Sequence, residues 1–259
     1  MLRVEHCPKL QRNKLLSTLS SEECQRICPH LQKIQVSAGE ILCQPGAASD
    51  HVYFPVDCFV SLSHVMEDDS ATAIGLVGCE GMVGIAHFLG GLTMPHTAVS
   101  QSGGSVMRIS ADILRQEFGR GDRFHRQLLL YGQALMTYMG LSAACSRHHS
   151  LQDQLAHLLL QILDRVPSRE IVLTQESIAS MLGVRRERVN KAASKLQEEG
   201  MIAYARGHIT VLDHEKLAAQ TCACYEIIKK EYGRLLDTKE NSGGISIWCR
   251  DKYDNSIFA

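Results

Sequence analysis

From Ile34 to Met107 the chain contains no lysine and no arginine. A phosphate buried in that stretch would lack a cation, at a cost of several kcal/mol unless backbone amides satisfied it. Prolines number six and tryptophan occurs once, at Trp248, which excludes a collagen-like chain. No apolar run approaches the roughly 18–20 residues that cross a bilayer, so a multi-span membrane protein is excluded too. Neither sign of charge is in excess, with 27 Lys and Arg against 28 Asp and Glu. A net charge of −1 gives no whole-molecule field for nucleic acid, and any DNA contact must come from a local cluster. Met1–Leu10 lacks the apolar core of a signal peptide. A cytoplasmic protein is therefore expected, with most of Cys7, Cys24, Cys28, Cys43, Cys58, Cys79, Cys145, Cys222, Cys224 and Cys249 as free thiols.

What is present describes an ordinary globular protein: 259 residues, 45 % hydrophobic and 21 % charged, enough for one large domain or two average ones. The cation-free stretch is rich in Gly, Val, Ser and Ala. Its short apolar runs, such as Val52-Tyr53-Phe54, Phe59–Leu62 and Ala73–Val77, and the run Val106–Ile109 that crosses its end, are separated by Pro45-Gly46, Gly78, Gly90-Gly91 and Gly103-Gly104. Many short strands at that spacing indicate an antiparallel sandwich or roll. Lys9–Leu31 before it reads as helical, with a cap at Ser20-Ser21-Glu22-Glu23.

Near Asp122 the period changes. Phe124, Leu128, Tyr131, Leu135, Tyr138, Ser142 and Cys145 recur at spacings of four and three, a heptad-like seam on a helix of roughly 25 residues. One reading packs this helix on its own domain. The reading favoured by its length and mixed apolar surface makes it a homodimerisation helix with those seven residues as the seam. A further helix is predicted over Leu151–Ile162 and another over Tyr225–Leu236, followed by a poorly ordered tail from Asp237.

The most informative segment is Thr174–Gly200. Thr174 caps a helix whose inner face carries Ile178, Ala179 and Leu182; Gly183 supplies a left-handed turn; a second helix turns Val189, Ala192, Ala193 and Leu196 inward. This is the pattern of a helix-turn-helix. The outward face of the second helix holds Arg185, Arg186, Arg188, Lys191 and Lys195 against the single acid Glu187. Charge runs are usually solvated surface, but these cations coincide with the face that such a motif presents to the major groove. An arginine there can donate twice to guanine and a glutamate can accept from cytosine. Met201–Tyr204 and His208–Val211, about Arg206-Gly207, form a hairpin that reads as a wing. Candidate DNA contacts are Thr174, Gln175, Arg185, Arg186, Glu187, Arg188, Asn190, Lys191 and Arg206.

In this order of parts the chain resembles the Crp/Fnr family of bacterial transcription regulators, over Leu15–Leu212. The likeness is carried by Leu173–Gly200, with Leu-Thr-Gln-Glu-Ser-Ile-Ala-Ser-Met-Leu-Gly-Val-Arg-Arg-Glu-Arg-Val, and by the turn Gly39–Gly46. The resemblance implies an α+β fold: an N-terminal antiparallel β-roll of jelly-roll type, a long dimerisation helix, and a C-terminal winged helix-turn-helix. The corresponding boundaries are 1–121, 122–149, 150–222 and 223–259. It also implies double-stranded DNA as partner, a homodimer on an inverted repeat, and RNA polymerase as a further candidate partner. Arg186 and Glu187 fall on the family's base-reading pair. Lys191 stands where many members have arginine, a point charge in place of a bidentate fork.

Where cyclic-AMP-binding members have Gly-Glu and then Arg-Ser, this chain has Gly84-Ile85 and Met94-Pro95, so cyclic nucleotide regulation of the usual kind is not expected. Cys7, Cys24 and Cys28 are too loosely spaced for the family's iron–sulfur pattern. Cys145 precedes His148 and His149 by three and four residues; packing in the seam with exposed histidines is favoured over a metal site. Cys222-Ala223-Cys224 is too close-spaced for a zinc ribbon and has no second pair nearby in sequence, leaving a redox pair as the lesser reading. No cofactor, metal ligand or catalytic residue is assigned, because nucleophile elbow, Walker loop and zinc-protease motifs are all missing.

Overall fold

The computed structural model describes residues 10, 12–67, 70–166, 168 and 170–236; the tail expected from Asp237 lies outside them. Two short helices, α1 (Lys14–Ser17) and α2 (Ser21–Ile27), open the described chain. The cap expected near Ser20 is a full capping box. Ser20 accepts from the Glu23 backbone and Glu23 accepts from the Ser20 N–H at 2.7 Å. The Glu23 carboxylate also accepts the Phe124 backbone N–H at 2.7 Å. It thus serves the first turn of the long helix α5 (Arg123–His148), whose own N-cap Asp122 makes no side-chain cap. One acid stabilises two positive helix ends.

Strands β1 (Gln32–Val36), β2 (Ile41–Cys43), β3 (His51–Pro55), β4 (Val60–Val65), β5 (Ala71–Val77), β6 (Thr97–Ser100) and β7 (Gly104–Ser110) form the roll. They make two antiparallel sheets, ordered β1-β7-β3 and β2-β6-β4-β5. Val52, Phe54, Phe59, Leu62, Leu76, Ala98, Met107 and Ile109 fill the space between them. The helix α3 (Ala86–Leu89) lies between β5 and β6, and α4 (Ala111–Gly119) leads into α5. After α5 come α6 (Leu151–Leu163), β8 (Glu170–Val172), α7 (Gln175–Leu182), α8 (Arg186–Glu198), β9 (Ile202–Ala205), β10 (His208–Val211), α9 (His214–Gln220) and α10 (Ala223–Leu236). The wing is a three-stranded antiparallel sheet, β8-β10-β9, one strand more than the expected hairpin.

The helix expected from the heptad spacing is present, but its seam faces the other way. Phe124, Leu128, Tyr131, Leu135, Tyr138 and Cys145 are all 5 % exposed or less, and Ser142 is half-buried. They pack inside their own chain and are closed to a second copy, which corrects the dimer seam read from sequence. The cause is the glycine-rich roll. A Cβ on Gly81 would lie 2.4 Å from the Tyr131 ring, so only glycine lets that ring reach Met82, whose carbonyl accepts from the Tyr131 hydroxyl at 2.9 Å. The outward stripe of α5 is instead Leu129, Gln133, Met136, Gly140 and Ala143, again at spacings of four and three. Among the described residues α5 alone has the length and mean hydropathy, 1.2, to cross a bilayer. Its buried face makes it a core helix.

Cys43, Cys58, Cys145, Cys222 and Cys224 are free thiols, and Cys79 is in a disulfide.

A buried ion pair joins the two halves. Arg165, just past α6, places Nε 2.9 Å from Oε1 of Glu80, and both side chains are essentially sealed from solvent. Glu80 also accepts the Gly78 N–H at 3.1 Å, and Arg165 donates to the Gln161 carbonyl at 2.8 Å. The guanidinium carbon stands 5.4 Å from the Tyr138 ring centroid of α5 and 6.0 Å from that of Tyr232 on α10. Burial pulls the guanidinium toward neutrality, and the Glu80 carboxylate with the two tyrosines more than offsets this. Removing one partner strands a buried charge, at about 3–5 kcal/mol. Glu80→Gln should therefore lower unfolding free energy by about that amount in urea titrations; a loss below about 1 kcal/mol, the range of exposed pairs, would refute the role given to the pair.

Candidate nucleic-acid interface

The helix-turn-helix is built by local rules. Thr174 Oγ1 accepts the Ser177 N–H at 3.0 Å, capping α7. Gly183 ends α7 at φ 64°, and the Val184 N–H returns to the Ala179 carbonyl at 3.0 Å. A Cβ at Gly183 would also lie 2.4 Å from Thr72 Oγ1, so the turn rests directly on β5 of the roll. Val189, Ala192, Ala193 and Leu196 bury the inner face of α8.

On the outer face Arg185, Arg186, Glu187, Arg188, Asn190, Lys191 and Lys195 are all exposed. No ion pair engages any of these cations, or Arg206, among the described residues. Two of these side chains are held in place. Gln175 donates to Asn190 Oδ1 at 3.0 Å and accepts from Arg186 Nε at 3.3 Å. The half-buried Gln175 at the start of α7 thereby orients the first turn of α8 and brings three of the predicted residues into one network. Arg206 sits at the wing tip with φ 50°, the single non-glycine residue with positive φ among those described. Its neighbour Gly207 accepts the Leu173 N–H at 2.8 Å, which sets the tip beside the segment that carries Thr174. All nine predicted contact residues thus lie on α7 and α8, at their N-caps Thr174 and Arg185, or at the wing tip, eight of them exposed.

A second constellation was not assembled from sequence. Cys145 and His149 at the end of α5 meet Cys222 and Cys224 at the start of α10, with all four ligand atoms within 4.8 Å of one another. His148 is exposed and outside the group. His149 is half-buried rather than exposed at the hinge, and Cys222-Ala223-Cys224 does have a second pair beside it. The signal was present in two halves, a one-turn Cys-x3-His and a Cys-x-Cys, but only the packing of α10 on α5 joins them.

A sensor-type roll joined by a long helix to a winged helix-turn-helix defines a one-chain transcription regulator. The profile of the cyclic nucleotide-binding domain matches residues 33–120, and that of the Crp-like helix-turn-helix domain matches residues 153–220. The fold is shared with FixK2 of Bradyrhizobium japonicum, 16 % identical over 74 % of this chain and 98 % of that one, at a TM-score of 0.64. It is likewise shared with TTHB099 of Thermus thermophilus, a CRP-family transcriptional regulator: 20 % identity, 72 % and 95 % coverage, TM-score 0.61. The c-di-GMP-responsive global regulator CLP of Xanthomonas campestris gives 17 %, 75 % and 100 %, and 0.60. No curated protein sequence matches the chain significantly. The chain belongs to the Crp/Fnr family of transcription regulators.

The β5–β6 connection offers a cyclic nucleotide phosphate no cation. It carries Gly84 at φ 106°, then α3, then Met94-Pro95, with no lysine or arginine of its own. Arg115 of α4 reaches His87 Nδ1 at 3.2 Å but is already paired with Asp112. The buried imidazoles supply no charge either. Burial, then Arg115, lowers the pKa of His87; burial, then His64, brings His96 down to about 4.

His96 has a consequence for stability. Its pKa is lower folded than unfolded, so its contribution is present above about pH 6.5 and is lost as pH falls through 4. Asp164, which burial pushes up to about 6, works oppositely: its contribution is present below its unfolded pKa and lost as pH rises through 6. Urea titrations between pH 7 and 4 should therefore show wild type losing up to about 3 kcal/mol through His96, with a shallower fall in His96→Gln. Equal pH slopes in the two proteins would refute this.

Proposed function

We propose that this regulator binds an inverted repeat of double-stranded DNA as a homodimer, and does so without a cyclic nucleotide. The observation that carries the reading is the first turn of α8, where Arg186 and Asn190 are exposed, unpaired with acid and pre-oriented by Gln175. Arg186 is the guanine reader and Glu187 beside it accepts from cytosine. Arg185, Arg188 and Lys191 complete the basic face, with Thr174 and Arg206 on the flanking backbone. Two such helices about one turn of DNA apart need two copies of the chain. The surface that supplies them is the outward stripe of α5, where Leu129 and Met136 are 44 % and 60 % exposed. The stretch Ile34–Met107, which carries no lysine or arginine, supports independence from cyclic nucleotides, and DNA binding by such a regulator places it in the cytoplasm.

Selection from a random-duplex pool, with no ligand added, should enrich a palindrome with half-sites about ten base pairs apart. No enrichment from folded, dimeric protein would refute effector-free binding. Arg186→Ala should cost about 1–3 kcal/mol on the selected site and relax discrimination at one guanine. Full discrimination in that variant would show the register to be wrong. Leu129→Glu with Met136→Glu should yield folded monomers in sedimentation, with DNA affinity lost; dimers there would reject the outward stripe as the interface.

A further inference from the structure

We propose that Cys145, His149, Cys222 and Cys224 bind one thiophilic divalent metal ion, zinc by the chemistry of the donor set, and that this ion clasps the two ends of the winged-helix unit onto the long helix.

The donors are arranged for a single ion. The Cys145 and Cys222 sulfurs are 3.4 Å apart, and the Cys224 sulfur is 3.8 Å from His149 Nδ1. Tetrahedral zinc, with Zn–S of about 2.3 Å and Zn–N of about 2.0–2.1 Å, requires ligand atoms about 3.5–3.8 Å from one another. All four lie within 4.8 Å of each other, a small relaxation from that figure. A polynuclear iron–sulfur cluster would spread the sulfurs further, because its thiolates bind different irons. The sulfurs are also well beyond the roughly 2.05 Å of a disulfide, and all three thiols are free. Three thiolates and one imidazole form a structural zinc set.

Each half of the site is locally determined. Cys145 and His149 are one helical turn apart, and the His149 N–H closes α5 onto the Cys145 carbonyl at 3.1 Å. Cys222 and Cys224 flank the first residue of the 14-residue helix α10, whose positive end favours thiolate charge. Beneath them the buried His157 of α6 holds Nδ1 3.8 Å from both the Cys145 and Cys222 sulfurs. It is a positioning residue, placed to donate to metal-bound thiolate. A cleft of about 240 Å³ between β5, α5, α6 and α7, lined in part by Ser142, Cys145, Gln154 and His157, leads to the site and gives an ion its way in.

The place of the site is as telling as its chemistry. All four residues fall outside the segments matched by the two domain profiles, 33–120 and 153–220. His149 lies two residues before α6 and Cys222 two residues after α9. An ion there ties the entry and the exit of the winged-helix unit to one point on α5.

The full-length chain, purified under reducing conditions from zinc-supplemented cells, should carry one zinc per chain by elemental analysis. Co²⁺ added to the chelator-stripped protein should give the intense visible bands of a tetrahedral thiolate site. Zinc should raise the melting temperature of wild type but not of Cys222→Ser/Cys224→Ser. His157→Ala should weaken binding about 10–100-fold, and Cys43→Ser, remote from the cluster, should bind as wild type does. Wild-type protein that carries no zinc as purified and, once stripped, gives no tetrahedral Co²⁺ spectrum would overturn the proposal, whatever the variants do. So would a Cys145–Cys222 disulfide in air-purified protein whose reduced form binds no metal, which would make the pair a redox couple instead.

Discussion

A single buried charge pair holds the parts of this regulator in register. Arg165 arrives from the end of α6, Glu80 from the roll, Tyr138 from α5 and Tyr232 from α10. Inside a protein two unpaired charges would each cost several kcal/mol, so the pair tolerates only one relative placement of those elements. A hydrophobic contact could slide by a side chain's width; a sealed guanidinium–carboxylate contact cannot.

Around that point the long helix has two faces with different work. Its inner face is committed to the chain's own core by Phe124, Leu128, Tyr131 and Leu135, and its outer face leaves Leu129 and Met136 in solvent. The same helix ends in Cys145 and His149, where α10 returns to meet it. The roll, the outward stripe and the winged helix are thus all referred to one rigid rod.

The basic face of α8 follows a different logic. Its cations have no acid partners among the described residues, and only Gln175 holds two of its side chains, Arg186 and Asn190. Unneutralised charge held in a fixed geometry costs stability through repulsion. It suits a partner that brings its own negative charge.

The amino-acid order by itself determined the local pieces: the capped helices at Ser20 and Thr174, the left-handed Gly183, the short strands of the roll, and the basic face of α8. Each depends on neighbours a few residues away, where propensity, capping and periodicity act. The sequence also determined that the stretch from Ile34 to Met107 offers no cation. Tertiary structure alone decided which side of α5 is buried, because a heptad spacing identifies an apolar stripe but not its partner, and α5 carries two such stripes. It likewise decided that Arg165 meets Glu80, and that a Cys-x3-His at one helix end meets a Cys-x-Cys far along the chain. Contacts between distant segments depend on how whole elements pack, and no local rule encodes that.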